Sequence, residues 1–221
     1  SNTVTMLQYC IMLVVAATAF ASNFSKKNSM RFGLQAVAVV FLVAFCYMGY
    51  MRQSAETIFA VFPLLAVGIT PILGKFVDTK GKAASMLMVG SILLIACHLT
   101  FAFILPMFKG SGVGGVFVAY ITILVLGASF SLVPASLWPS VPKLVDNKVI
   151  GSAYALIFWI QNIGLCLVPL LIGKVLDATG GYTVPMMIFS SFGILAFIFS
   201  FYLKIEDRRK GYGLELPNIK K

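Results

Sequence analysis

The sequence predicts an all-α integral membrane protein with about seven transmembrane helices. Of its 221 residues, 60% are hydrophobic and only 11% are charged, whereas soluble domains carry roughly 25% charged residues. The charges are clustered, so that seven long uncharged runs remain. A helix needs roughly 20 apolar residues to cross a bilayer. The runs are continuously apolar rather than alternating, which indicates helices and not a β-barrel.

Each uncharged run predicts one span. The runs cover residues 1–25, 32–51, 57–74, 83–108, 110–142, 149–173 and 178–203. All reach spanning length, the third only narrowly. The first run is too long and too weakly basic in front to be a signal peptide, so we interpret it as a span. The four cysteines lie inside these runs, where they are expected to act as small packing residues.

The basic residues predict the orientation. Fourteen of the 17 Lys and Arg residues fall in one set of alternate loops and in the C-terminal segment, and three fall in the other set. Because short cytoplasmic loops hold the Lys and Arg, we expect the C-terminus in the cytoplasm and the N-terminus outside. The net charge of +10 then reflects topology, and no nucleic-acid partner is expected. The predicted location is the bacterial inner membrane.

Two loops repeat a pattern of Gly, Lys, Asp and Gly at an offset of 99 residues. The first loop contains Gly74, Lys75, Asp78 and Gly81, followed by Lys82, and the second contains Gly173, Lys174, Asp177 and Gly180. The loops are three spans apart, so they are expected on opposite faces of the membrane. This arrangement is typical of the inverted three-helix repeats of secondary transporters. The alternative is coincidence between two glycine-rich loops.

At this motif the chain resembles the major facilitator superfamily, whose hallmark loop reads Gly-x-x-x-Asp-x-x-Gly-(Arg/Lys). Gly74, Asp78, Gly81 and Lys82 fit that pattern, although Thr79 follows the Asp where the family often has a basic residue, and Lys80 is a substitute. The segments 131–139, 151–154 and 160–164 are similar to the branch that includes the lysosomal dipeptide uniporter and its bacterial relatives. These motifs cover roughly residues 55–183.

The resemblance implies a chain that forms the C-terminal half of a twelve-helix fold. It predicts the family's sixth helix over 1–25, a cytoplasmic linker over 26–32, a six-helix bundle over 33–204 and a basic tail over 205–221. Such a fold requires an N-terminal half, in the same or a separate chain, and Asp78 would face the start of one of its helices. If the chain acts alone, Asp78 must find a partner within it or on a second copy.

Polar residues within spans are the candidates for substrate contact, because burying them unpaired in lipid is costly. Gln161 and Asn162 are adjacent and mid-span, so at 100° per residue at most one squarely faces a central cavity. Either amide could bind a carboxylate or peptide group, or could instead hydrogen-bond a neighbouring helix. The lone histidine, His98, is expected to be a neutral packing residue.

Three further residues are candidates near the ends of spans. Trp138 closes the fifth span, where it serves as an interfacial anchor or as part of a gating helix end. Arg52 and Glu56 lie four positions apart between spans two and three. They form either an ordinary helix-end ion pair or a charged substrate contact at the cavity mouth.

The resemblance implies a secondary active or facilitative carrier that moves a small polar organic solute, such as a short peptide, by alternating access. The expected partners are the lipid bilayer, the substrate and the missing half. The alternative is a non-transporting membrane subunit. An enzyme is not expected, because no metal set and no convincing nucleophile–base pair are found. No cofactor and no metal are predicted.

Overall fold

The computed structural model describes the backbone of residues 2–52 and 55–219 and the side chains of residues 6–48 and 58–219. Within these ranges the chain forms seven helices that are long and apolar enough to cross a membrane, and it contains no strand. The helices are α1 (Asn2–Phe24), α2 (Asn28–Arg52), α3 (Ala55–Lys80), α4 (Ala83–Leu99) with its short continuation α5 (Leu105–Met107), α6 (Val113–Leu144), α7 (Ile150–Thr179) and α8 (Thr183–Lys210). The predicted fold class is confirmed.

The span that contains α4 and α5 is continuous but irregular. A π-helical turn, Thr100–Ile104, joins the two helices, and the N–H of Leu105 donates to the carbonyl of Thr100. The whole segment Ala83–Met107 is therefore one candidate span. Single π-turns of this kind occur within α-helices and change the helix register locally.

Two boundaries differ from the predicted ones. α2 begins at Asn28, which shortens the linker predicted over 26–32. α8 continues to Lys210, so the tail begins at Gly211 rather than at residue 205. Ion pairs from Glu206 to Arg209 (4.0 Å) and to Lys210 (2.9 Å) support the added turn. Gly211 then ends the helix in the left-handed conformation, with φ of 70°.

Small residues let the central helices approach closely. A Cβ added to Gly90 in α4 would lie 3.2 Å from the Cβ of Leu132 in α6. At the same crossing the buried hydroxyl of Ser129 donates to the carbonyl of Gly90 at 2.7 Å. Between α4 and α8, a Cβ on Gly193 would lie 2.7 Å from the Cγ1 of Ile95. Lipid tails are as apolar as these side chains, so the hydrophobic effect does not drive helices together in a membrane. Close approach through small residues instead stabilises their association by van der Waals packing.

The remaining packing forms one core and leaves one helix uncovered. Buried apolar side chains of α1, α2, α3 and α6 meet in a single cluster, Val15, Phe45, Val61, Leu64, Tyr120 and Ile123. In contrast, α7 has no buried residue, although its side chains are mostly apolar. Within the described residues, α7 therefore lies at the rim of the bundle with most of its surface open.

Contacts place three of the four basic segments at one end of the bundle, called here the tail end. The Nζ of Lys143, at the end of α6, donates to the carbonyl of Gly213 at 2.8 Å. The side-chain amide of Asn218 donates to the carboxylate of Asp78, near the end of α3, at 2.7 Å. α8 begins just after Gly180 and runs 28 residues before it reaches this end. The two repeat loops accordingly lie at opposite ends.

Candidate functional site

An open cavity of about 490 Å³ lies between α4, α6, α7 and α8. It brings together two of the predicted site residues, Trp138 from α6 and Gln161 from α7. Ser91 and Ser129 contribute hydroxyl groups to a lining that is otherwise apolar. Pockets that bind small molecules are commonly concave and apolar, with a few placed polar groups that fix the ligand's orientation.

Trp138 is held in place by two aromatic side chains of α7. Its ring stacks on Phe158 with centroids 4.8 Å apart and tilts against Tyr154 at 5.9 Å. The hydroxyl of Tyr154 donates to the backbone carbonyl of Trp138 at 2.9 Å. In a regular helix that carbonyl would accept from residue 142, but Pro142 has no N–H to give. Tyr154 therefore satisfies a carbonyl that a proline leaves free inside the membrane.

The structure separates the two adjacent amides of α7. Gln161 lines the cavity. Asn162 does not, and its Nδ2 donates to the carbonyl of Phe158 in its own helix at 2.7 Å. Neighbouring helical residues point about 100° apart, so the two amides have different surroundings. Of the pair, only Gln161 is placed to meet a ligand in this cavity.

Two side chains of the cavity have donors that no protein group accepts from. The hydroxyl of Ser91 donates to the carbonyl of Leu87, and that of Ser129 to the carbonyl of Gly90. Within the described part of the chain, the indole N–H of Trp138 and the side-chain amide of Gln161 have no hydrogen-bond partner. Gln161 is exposed and Trp138 is half-buried, so both donors are free to bond to a carboxylate or carbonyl oxygen of a solute.

A second cavity, of about 970 Å³, lies at the opposite end and contains His98. The Nδ1 of His98 bonds to the carbonyl of Leu94 at 2.8 Å, and its ring lies 5.3 Å from that of Phe189. Phe101, Phe108 and Phe189 supply much of the lining. The hydrogen bond and the aromatic contact are those of a packed histidine, as expected from the sequence.

The two repeat loops share one local geometry. Gly81 ends α3 with φ of 75°, and its N–H donates to Val77 at 2.8 Å. Gly180 ends α7 with φ of 63°, and its N–H donates to Leu176 at 2.9 Å. Both glycines form left-handed helix ends that a side chain would strain. The other two glycines of the repeat, Gly74 and Gly173, would each accept a Cβ without any neighbour within 4 Å.

The charged residues of the repeat differ in their partners. The Asp78 carboxylate accepts from Asn218 of the tail at 2.7 Å, whereas Asp177 has no partner among the described residues. Lys82 adopts φ of 65° and its N–H donates to the carbonyl of Glu215 at 3.2 Å, while the side chain of Lys80 is exposed. Asp78 thus finds a partner in its own tail, although no helix start is involved.

Some site residues lie outside this account or were not predicted. The side chains of Arg52 and Glu56 lie outside the described residues. The sequence reading did not single out Tyr154 as a support for Trp138, although a proline four residues after a span-end tryptophan signals a free carbonyl. It also missed Glu215 and Asn218, which lie in a short polar tail without periodicity.

In the described ranges, no three His, Cys, Asp or Glu side chains converge as a metal site requires.

Within the described residues, seven long apolar helices define an all-α membrane protein. The chain is 30% identical over 132 residues to the lysosomal dipeptide transporter MFSD1 of Bos taurus, covering 60% of this chain and 26% of that protein. The human protein of that name is 28% identical over 132 residues, again 60% of this chain and 26% of its own length. The Danio rerio protein is 28% identical over 168 residues, 76% of this chain and 34% of its own.

These relatives confirm the resemblance predicted from the motifs. The alignments span only about a quarter to a third of the length of the curated relatives. No protein-family model matches the chain, and no solved structure matches it significantly.

Proposed function

We propose that this chain forms the C-terminal half of a membrane carrier that moves a small polar solute by alternating access. Transport is either secondary active, coupled to an ion gradient, or facilitated diffusion. The observation that carries the proposal is the cavity containing Trp138 and Gln161, whose two unpaired donors match a carboxylate or peptide oxygen. The relatives are named dipeptide transporters, which makes a short peptide the first substrate to test.

The uncovered α7 supports the existence of a second half. A helix with no buried residue gains little packing energy from the bundle, and in carriers the substrate site lies between two halves. The missing half would cover α7 and close the cavity of about 490 Å³. A non-transporting subunit would also need a partner over α7, so transport itself must be measured.

Uptake into proteoliposomes by the protein made from its full reading frame tests the proposal. We expect saturable uptake of short peptides. Replacing Gln161 with Ala should raise KM about 10- to 100-fold, because it removes a hydrogen bond to a charged group in a desolvated site. Trp138→Phe, which keeps the aromatic stack but removes the N–H, should raise KM in the same direction.

Asn162→Ala is the matched control, because it deletes the neighbouring amide that bonds to its own helix. Its KM should stay within about twofold of the parent value. Absence of saturable uptake for all peptides and amino acids tried, together with co-purification of another membrane protein, would favour the subunit alternative.

The tail end is proposed to face the cytoplasm. Lys and Arg concentrate there, and short cytoplasmic loops carry such residues in membrane proteins. Two locations fit this orientation, the bacterial inner membrane expected from the sequence and the lysosomal membrane in the relatives' names. Protease accessibility of the tail in sealed vesicles, with membrane fractionation, distinguishes orientation and location.

A further inference from the structure

The N-terminus of α4 depends on a distant part of the chain for its capping. The residue before the helix, Lys82, is in the left-handed conformation and makes no side-chain capping bond. The first N–H groups of a helix have no partner inside it. Here the tail supplies them: the carbonyl of Leu214 accepts from Ala83 at 3.1 Å, and that of Glu215 accepts from Lys82 at 3.2 Å.

The side chain of Glu215 completes this cap. Its Oε1 accepts from the N–H of Ser85 at 2.8 Å, and its Oε2 accepts from the hydroxyl of Ser85 at 2.6 Å. Lys204 of α8 donates to the same hydroxyl at 2.6 Å. A carboxylate at a helix N-terminus also gains from the helix dipole. Glu215 therefore acts as a capping residue that is contributed from 130 residues away.

One apolar side chain fixes the position of the tail. Leu214 is fully buried, with 0% of its surface exposed. Its N–H donates at 2.8 Å to the carboxylate of Asp207, itself buried in α8. The neighbouring Leu216 is 64% exposed, so the groove accepts one leucine and not both.

Further bonds attach the tail to α3 and α6. The N–H groups of Asn218 and Ile219 both donate to the backbone carbonyl of Asp78, at 2.9 and 3.0 Å. Lys143 donates to the carbonyls of Gly213 and Leu216, at 2.8 and 3.0 Å. The tail thus bonds to the ends of α3, α4, α6 and α8 at once.

We propose that this groove at the tail end is a docking site for a peptide segment, and that the chain's own residues 213–219 are its reversible occupant. The docked tail caps α4 and locks four helix ends together. Its release frees the loop between α3 and α4. Among the described tail residues only Leu214 has a fully buried side chain. The bonds from Asn218 to Asp78 and from Lys143 to Leu216 are exposed, so they exchange with solvent at small net cost. The bond from Leu214 to Asp207 is buried and is the one that release must break inside the protein.

The consequence for transport rests on the proposed function. Alternating access is largely rigid-body rocking of one bundle against the other, or gating by parts of a bundle. While the tail is docked, the end of α3 cannot move relative to α4, α6 and α8 without breaking the bonds described above. Tail release then accompanies a gating movement of α3, whereas rigid-body rocking of the whole bundle would leave the tail docked.

Hydrogen exchange on the intact protein tests docking and release without any transport measurement. The N–H groups of Ala83, Ser85 and Leu214 should be protected, yet exchange at least about tenfold faster than amides in the middle of α4, because the tail releases before the helix opens. Asn218→Ala should accelerate exchange at Ala83, whereas Asn162→Ala should not. Unprotected tail-contact amides overturn docking, and protection equal to that of mid-α4 overturns reversibility.

Reversible cross-linking tests the role in transport. Cysteines replacing Ser85 and Glu215, in a background with the exposed Cys10 and Cys166 changed to Ser, are joined by a short bifunctional thiol reagent. Cross-linked protein should lose at least about tenfold in uptake rate and recover with reductant, and each single-cysteine variant treated alike should be unaffected. Unchanged uptake by fully cross-linked protein overturns the release step. If the uncross-linked parent shows no uptake, the proposed function fails, while the exchange experiment still decides docking.

Discussion

Gly81→Ala is the substitution that most directly measures how closely the tail lies against the loop between α3 and α4. A Cβ at this position would lie 2.5 Å from the carbonyl carbon of Leu216 and 2.8 Å from that of Glu215. Gly180→Ala is a matched control. Gly180 ends α7 with a similar positive φ, but a Cβ there meets nothing within 4 Å.

Both substitutions strain a left-handed backbone, and only Gly81→Ala also places a methyl group against the tail. An alanine in the left-handed conformation costs roughly 1–2 kcal/mol at either position. At Gly81 the added methyl group also overlaps the backbone of the tail, and overpacking of this kind costs roughly 1–3 kcal/mol. If the tail instead detaches, the burial of Leu214 is lost, which is worth about 1.5–3 kcal/mol. Gly81→Ala should therefore be more destabilising by about 1–3 kcal/mol.

The assay is thermal unfolding in detergent at a fixed scan rate, in a background with the exposed Cys10 and Cys166 changed to Ser. A thiol-reactive dye then reports exposure of the buried Cys97 and the half-buried Cys46. At about 2–4 °C per kcal/mol for a chain of this size, Gly81→Ala should lower Tm by roughly 2–12 °C more than Gly180→Ala. Hydrogen exchange at the N–H of Ala83 should rise only in the Gly81 variant. Equal Tm losses, with Ala83 protected in both variants, would refute the reasoning.

Three further substitutions test the packing and the site. Tyr154→Phe leaves the carbonyl of Trp138 without a partner and should cost about 1–3 kcal/mol, seen as a lower Tm and a shifted tryptophan emission; an unchanged Tm would contradict the proline argument. Gly90→Val should separate α4 from α6 and cost about 1–3 kcal/mol, while Gly33→Val, on α2 at a site with no neighbour within 4 Å, should change Tm little; equal effects would count against close packing at Gly90. Leu214→Ala should speed trypsin cleavage at the basic residues that precede the tail, and an unchanged cleavage rate would mean that this leucine does not hold it.

The spans and their boundaries show how far hydrophobicity alone reaches. Seven uncharged runs predicted seven helices, because backbone groups in hydrocarbon must pair within their own segment. The end of α8 was harder to predict, since Glu206 and Lys210 pair along the helix and carry it into water beyond the apolar run. The limits of the uncharged runs predict that these residues belong to the tail, but local ion pairs stabilise another helical turn there.

The candidate site was predicted in part. Trp138 and Gln161 were singled out, and both line one cavity. Which of Gln161 and Asn162 faces it could not be chosen, because that depends on the rotation of α7 about its axis. Rotation is set by the contacts of Trp138, Tyr154 and Phe158 across the α6–α7 boundary, and helical periodicity does not report them.

The sequence by itself determined the membrane class, the seven spans, the grouping of basic segments at one end and the paired glycine ends of the repeat. Each of these follows from local chemistry, namely the cost of charges and unpaired amides in lipid and the freedom of glycine at positive φ. The tertiary structure alone decided that Glu215 caps α4 and that Asn218 engages Asp78. Those contacts join residues 130 and 140 positions apart, and only the folded bundle brings the two ends of such a pair together.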